Sequence, residues 1–264
     1  MSDLDYEREY DNRGRVPEHP AIIEGWYLRA AAARRTLGGR LDVPYAEGER
    51  TRLDLFEPTA MRGPAVVFFH GGYWQSQDKS GFSHLALGPL AHGLPVAIAG
   101  YDLCPAVPLE TLIEQARAAT RFVANLTGRP VLVAGHSAGG HLAACVAATP
   151  GLPVEAVLAL SGLFDLRPLV ETSVNAKLGL DATRAAASSP ITWPAPAGLP
   201  VELVVGEWES SEYHRQSREL AARWGERVRY TSLAGAHHFT VIEPLADPTS
   251  DLVLHLATFG RDAP

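Results

Sequence analysis

The sequence predicts an α/β chain: a mainly parallel sheet flanked by helices. Three observations carry this. Short apolar runs at residues 65–69, 95–99, 131–134, 154–160 and 201–205 read as buried strands. Segments of helical spacing lie between them. In 109–126, Leu112, Ile113, Ala116, Ala119, Phe122 and Val123 share one face. Strand and helix therefore alternate at the spacing of crossover units, which build parallel sheets. The third observation is V-L-V-A-G-H-S-A-G-G-H at 131–141, a strand, a sharp turn and the start of an alanine-rich helix.

The elements follow in order. Residues 1–20 are polar, carry Pro17 and Pro20, and predict an extended arm that Tyr6 and Tyr10 can pack down. Residues 21–37 predict a helix with Ile22, Ile23, Trp26, Tyr27, Ala30 and Ala31 at helical spacing, ended by Gly38-Gly39. Together, 1–39 form an N-terminal arm and helix. Residues 41–45 and 52–56 predict a hairpin at a sheet edge. Helices follow at 83–91, 109–126 and 142–148. The segment 163–200 breaks the rhythm and is too long for a crossover loop. It predicts a cap-like insertion with one or two short helices over the strand ends. The strand 201–205, a helix at 211–224, a strand at 227–232 and a closing helix at 249–259 complete one domain over 1–264.

Composition narrows the partners. A length of 264 residues with 46% apolar residues suits one sizeable core. The net charge of -7 argues against nucleic acid and anionic membrane. Cys104 and Cys145 show no metal or redox spacing, which fits a reducing, cytoplasmic setting. The first residues lack the apolar core of a signal peptide, and no 18-residue apolar run is present to span a membrane. His237, His238 and Glu243 match no common zinc spacing, and neither a phosphate loop nor a dinucleotide fingerprint is present. No metal and no cofactor are expected.

Gly135-His136-Ser137-Ala138-Gly139 has the pattern of a nucleophile elbow. The turn lifts the Ser137 hydroxyl from the sheet, and the glycines leave room for the crowded chain. A serine nucleophile needs a histidine held by a carboxylate. His214 and His255 fall within predicted helices, which leaves His237 and His238 in the loop after the last strand. His238 is favoured, because a helix is expected to start at Phe239 behind it. The loop after 201–205 offers Glu207 and Glu209. Glu209 is favoured because a side chain needs a few residues to swing back toward the histidine. Asp165 is a third candidate. Oxyanion donors are expected from the amides of Ala138, Gly71 and Gly72, because two glycines directly after a strand can expose consecutive amides. His70 reads as the anchor of that loop.

These residues resemble the α/β-hydrolase superfamily over roughly 40–259. His70-Gly71-Gly72-Tyr73-Trp74-Gln75, Tyr101-Asp102-Leu103-Cys104-Pro105, the elbow and Glu207-Trp208-Glu209-Ser210 look like the kynurenine formamidase (arylformamidase) group and its small esterase relatives. The resemblance implies an α/β-hydrolase fold with Ser137 as nucleophile, His238 as base and Glu209 at the acid position, where the group usually has aspartate. It also implies an arm around Tyr10-Asp11-Asn12-Arg13 that folds back over the site. The implied substrate is an aryl formamide or similar small amide. A small-molecule carboxylesterase or acyl-transfer enzyme is the alternative, and a non-catalytic binding protein on the same scaffold is a third reading. Tyr73, Trp74, Phe164 and Trp208 are expected to rim the pocket of a small aromatic substrate. A homodimer is compatible with the sequence.

Overall fold

The structure, a computed structural model, describes residues 4–259. Residues 1–3 of the predicted arm and 260–264 of the predicted domain lie outside the described residues. The strands are β1 (Arg40–Pro44), β2 (Arg52–Phe56), β3 (Val66–Phe69), β4 (Val96–Ala99), β5 (Val131–His136), β6 (Val154–Leu160), β7 (Val201–Gly206) and β8 (Val228–Leu233). They form one sheet in the order β1-β2-β4-β3-β5-β6-β7-β8. β1 and β2 make an antiparallel edge hairpin, and β2 meets β4 antiparallel. From β4 onward all pairs are parallel. This is the mainly parallel sheet expected from the strand and helix alternation, in the α/β-hydrolase arrangement that the resemblance implies.

The helices are α1 (Tyr6–Tyr10), α2 (Asn12–Arg15), α3 (His19–Leu37), α4 (Leu87–Ala91), α5 (Leu109–Thr127), α6 (Ala138–Ala147), α7 (Asn175–Leu178), α8 (Ala182–Ala187), α9 (Ser211–Trp224) and α10 (Asp251–Leu256). The strand period of two splits the core between the sheet's faces. Val67, Phe69 and Val133 pack with Leu112, Ala116, Leu142 and Leu220 of α5, α6 and α9. Val66, Phe68, Leu132 and Ala134 pack on the other face with Trp26 of α3, Phe82 and Ile242. Among the described residues, no helix is long and apolar enough to cross a membrane.

Three expectations change. The arm is not extended. Asp5 accepts from the Arg8 amide and Asp11 from the Gly14 amide, so each caps one turn of helix. Prolines 17 and 20 fall beyond those turns and do not oppose them. The helix after the elbow begins at Ala138 and not at Leu142, because Gly139 and Gly140 serve close packing and not a longer turn. A Cβ at Gly139 would stand 2.0 Å from the Phe69 carbonyl oxygen, and one at Gly140 would stand 2.8 Å from Gly162 Cα. The closing helix is α10 alone, starting after Ser250, which accepts from the Val253 amide. Within 163–200 the chain forms α7 and α8 with 3₁₀ turns at Arg167–Glu171 and Pro190–Thr192.

Candidate active site

Ser137 stands between β5 and α6 with φ 55° and ψ -118°, a conformation that costs energy for any residue with a side chain. The neighbours make room for it. A Cβ at Gly135 would lie 2.1 Å from the Gly139 carbonyl oxygen. The strained turn places the Ser137 hydroxyl oxygen 3.1 Å from His238 Nε2. His238 Nδ1 lies 2.7 Å from Glu209 Oε2. The carboxylate can only accept, so Nδ1 carries the proton and Nε2 offers its lone pair to the serine.

Glu209 is held on both oxygens. Its Oε1 accepts from the Gly206 amide at 2.7 Å and from the Ser161 hydroxyl at 2.5 Å. The side chain is fully buried. Ser161, directly after β6, is a site residue that the sequence did not single out. Its signal was a hydroxyl directly after an apolar strand. The competing carboxylates lie elsewhere. Glu207 is exposed and accepts from the Gly235 amide. Asp165 pairs with Arg167 at 2.7 Å. Burial acts to raise the Asp165 carboxyl, and the Arg167 hydrogen bonds outweigh it and hold it below the usual range.

His237 turns from Ser137 to its own loop: its amide donates to Thr240 Oγ1 and its Nδ1 accepts from the Phe239 amide. Turns follow His238, then a 3₁₀ turn at Glu243–Ala246, where a helix was expected. The His238 ring is fixed by its neighbours. His136 lies at 4.8 Å and Tyr213 at 4.9 Å, centroid to centroid.

The loop after β3 passes beside the serine. A Cβ at Gly71 would lie 3.1 Å from Ser137 Cβ. Gly72 has φ +108°, open to glycine alone at low cost. Among the described residues, the amides of Gly71, Gly72 and Ala138 have no intramolecular acceptor. The Ala138 amide also opens the N-terminus of α6, whose dipole favours negative charge. His70 anchors the loop: Tyr101 stacks on its ring at 4.3 Å and donates to its carbonyl at 2.7 Å. Burial pushes the His70 imidazole down to about 4, so it stays neutral.

A cavity of about 330 Å³ opens onto Ser137 and His238. The arm contributes Tyr10, Asp11, Asn12 and Arg13, and the insertion contributes Ser173, Val174 and Lys177. Trp26, Phe82 and Phe239 supply aromatic wall. Of the four aromatics expected there, Tyr73 lines the cavity. Trp74 and Phe164 are fully buried in the core, where Trp74 packs edge-on against His141 at 5.0 Å. Trp208 is 63% exposed and lies outside the cavity. Loop position alone could not distinguish these directions. Trp26 was visible in the sequence on an apolar helix face, but nothing there marked it as facing a cavity. Chemically, this arrangement can draw a proton from Ser137 and receive negative charge at free amides beside it.

Known proteins share this chain's sequence and fold. The family model described as the alpha/beta hydrolase fold matches residues 66–193. The kynurenine formamidase of Danio rerio is 31% identical over 254 residues, which cover 88% of this chain and 84% of that protein. The kynurenine formamidase of Drosophila melanogaster is 35% identical over 233 residues, covering 79% and 77%. A thioesterase candidate from Silicibacter sp. has a solved structure with TM-score 0.90 and 36% identity, covering 95% of this chain and 98% of that one. An esterase from Pyrobaculum calidifontis shares the fold at TM-score 0.72 and 19% identity, with 90% of each chain covered. The chain belongs to the α/β-hydrolase superfamily, in the group that contains the kynurenine formamidases and related esterases.

Proposed function

We propose that this protein is a serine hydrolase that cleaves an aryl formamide or a similar small amide through an acyl-enzyme. One observation carries the reading: the hydrogen-bonded series Ser137, His238, Glu209 opens onto the cavity beside the free amides of Gly71 and Gly72. His238 takes the Ser137 proton as the hydroxyl oxygen attacks the carbonyl carbon. Glu209 holds the imidazolium that results. The amides of Gly71, Gly72 and Ala138 receive the oxyanion, each worth roughly 2.7–4 kcal/mol by analogy with single oxyanion donors. Collapse breaks the carbon–nitrogen bond, and His238 returns its proton to the departing arylamine. Water then attacks the serine ester with His238 again as base, releasing the acid and restoring Ser137.

Two further features support a small acyl group and an aromatic leaving group. The cavity volume sits at the small end of ligand sites. With a formyl acyl group, binding energy must come from the leaving-group side, and Trp26, Phe82 and Phe239 offer aromatic contact there. The formamidase relatives support the amide. The Silicibacter relative supports a second reading, hydrolysis of a small ester or thioester.

Matched formanilides, phenyl esters and phenyl thioesters test the two readings. On the amide reading, kcat/KM for the formanilide reaches or exceeds that for the matched ester, although the ester has the better leaving group. Turnover of esters and thioesters alone would move the assignment to the second reading. Ser137→Ala should abolish turnover above background and remove the acylation burst seen with an activated ester. Near-normal kcat/KM in that variant would refute the serine mechanism.

A further inference from the structure

We infer, resting on the amide reading proposed above, that Asn12 of the arm is a specificity-determining residue: its side-chain carbonyl oxygen, Oδ1, accepts the N–H of the scissile amide. Asn12 opens α2, is 5% exposed and lines the cavity together with Ser137 and His238. Its Nδ2 donates to the Tyr213 hydroxyl at 2.7 Å and to the Tyr73 hydroxyl at 3.2 Å. Tyr73 directly follows Gly72, whose amide is free. The Tyr213 ring packs on His238 at 4.9 Å, centroid to centroid. Asn12 therefore bridges the oxyanion side and the base side of the reacting carbonyl.

The protons of the two phenols decide which end of the Asn12 amide meets them. The Tyr73 hydroxyl lies 2.6 Å from the Tyr10 carbonyl, which can only accept, so the Tyr73 proton goes there. The Tyr213 hydroxyl lies 3.0 Å from the Tyr73 oxygen and donates to it. Both phenol oxygens then offer Asn12 lone pairs only, so its NH₂ group faces them and Oδ1 faces away. Among the described residues, Oδ1 has no hydrogen-bond donor, and unlike His136 Nδ1 it is not sealed in the core. The surface that Asn12 keeps opens onto the cavity. An acceptor left empty in so buried a residue costs stability, which a bound N–H recovers.

Amide cleavage needs an acceptor in this place. In the tetrahedral intermediate the nitrogen must turn its lone pair toward His238 to take the proton, so its hydrogen points elsewhere. An acceptor for that hydrogen holds the nitrogen in the productive orientation, and an ester oxygen has no hydrogen to offer. The arm keeps the acceptor fixed. Glu9 Oε2 accepts from the Glu212 amide at 3.0 Å and from Ser211 Oγ at 2.7 Å, capping α9. The Tyr10 hydroxyl donates to Glu212 Oε2 at 2.8 Å and accepts from Gln216 Nε2 at 2.6 Å. Oδ1 is therefore in position before the substrate arrives.

The test is the ratio of kcat/KM for formanilide to kcat/KM for phenyl formate, which differ by N–H against O at the scissile bond. Asn12→Ala removes the acceptor and should lower that ratio about 10-fold. Asn12→Asp keeps an oxygen on the substrate side, and the Tyr213 proton can turn to the oxygen that replaces Nδ2. It should hold the ratio within about three-fold of the unaltered protein. Both variants lose the Nδ2 bonds, so a merely structural role would slow the two substrates alike and leave both ratios unchanged. An unchanged ratio in Asn12→Ala, or a ratio that Asn12→Asp fails to keep, would overturn the inference and leave the amide reading standing. Should the alanine variant fold poorly, N-methylformanilide carries the test on the unaltered protein. It lacks the hydrogen and should show kcat/KM at least about 10-fold below formanilide, and equal values would overturn the inference. No turnover of formanilide by the unaltered protein would overturn the amide reading and this role together.

Discussion

His136 Nε2 donates to the backbone carbonyl of His238 across 2.8 Å. The strand that leads into Ser137 thereby holds the loop that carries His238. A carbonyl has no proton to give, so Nε2 bears the hydrogen and Nδ1 is left with a lone pair. That nitrogen is buried, without a partner among the described residues. Burial, then the nearby His238 ring, push His136 well below the usual imidazole range. It is a fixed neutral strut. His136→Phe should keep the packing and lose the bond. We expect kcat to fall about 10-fold with KM within about two-fold, as for a loosened base. Steady-state kinetics with phenyl acetate will check this, and an unchanged kcat would show that the loop holds itself.

Glu209 and Glu207 differ in what they touch, and that difference sets the second prediction. Glu209→Gln keeps the shape but replaces one carboxylate oxygen by an amide nitrogen, so one of the three donors around it is left facing a donor. Loss of the wrong-tautomer kind is about 10⁴ in a known triad. We expect several hundred-fold or more in kcat here. Glu207→Gln should cost less than about three-fold, since an exposed side chain capping one amide carries little energy. The two kcat values measured at one pH decide the matter, and a larger loss at Glu207 would move the acid role to it.

The strands were legible because a sheet covered on both faces needs continuous apolar runs, as in residues 65–69 and 131–134. Ser137, Glu209 and His238 were legible because each follows a strand end at a loop whose order along the chain limits the choices. The cavity wall was not. Trp74 and Phe164 occupy loops, yet their side chains enter the core, and a single backbone rotation decides between core and cavity. Nor could the sequence reveal Asn12 beside Tyr213. The two are 201 positions apart, and a contact made by tertiary docking leaves no periodic trace.

Acid should destabilise this protein before any carboxylate titrates. Burial holds His70, His84 and His141 down to about 4, and holds His136 well below the usual imidazole range. In the unfolded chain each titrates near 6.5. Between those values the unfolded state binds protons that the folded state refuses. Stability is therefore complete above about pH 6.5 and declines as pH falls toward 4. Unfolded carboxylates titrate near 4, so the loss between pH 6.5 and 5 belongs to the histidines. Each contributes at most about 1.4 kcal/mol per pH unit. Urea unfolding at pH 7, 6 and 5 should give a falling free energy with a slope above one proton. A flat profile over that interval would mean that these rings take up protons in the folded state.

The acyl side of the cavity should be short. Tyr73 enters it directly after the free amides, and its hydroxyl is tied to the Tyr10 carbonyl and to Asn12, so the ring cannot swing aside without breaking the arm's attachment. The arm residues close the space above it, and the whole cavity holds about 330 Å³. In a fitting apolar pocket each added methylene gains roughly 1–3 kcal/mol, so an open channel would make kcat/KM climb steadily with chain length. A closed one makes each methylene beyond the limit displace a fixed side chain, at a cost similar to overpacking a core, typically 1–3 kcal/mol. Phenyl esters with formyl, acetyl, butyryl and octanoyl groups distinguish the two. We expect kcat/KM to peak at formyl or acetyl and to fall at least about 10-fold by octanoyl. Tyr73→Ala should shift the peak toward butyryl, because it removes the ring that sets the limit. A maximum at octanoyl in the unaltered protein would mean that the acyl chain leaves by another route, and the formamidase-like reading would fall with it.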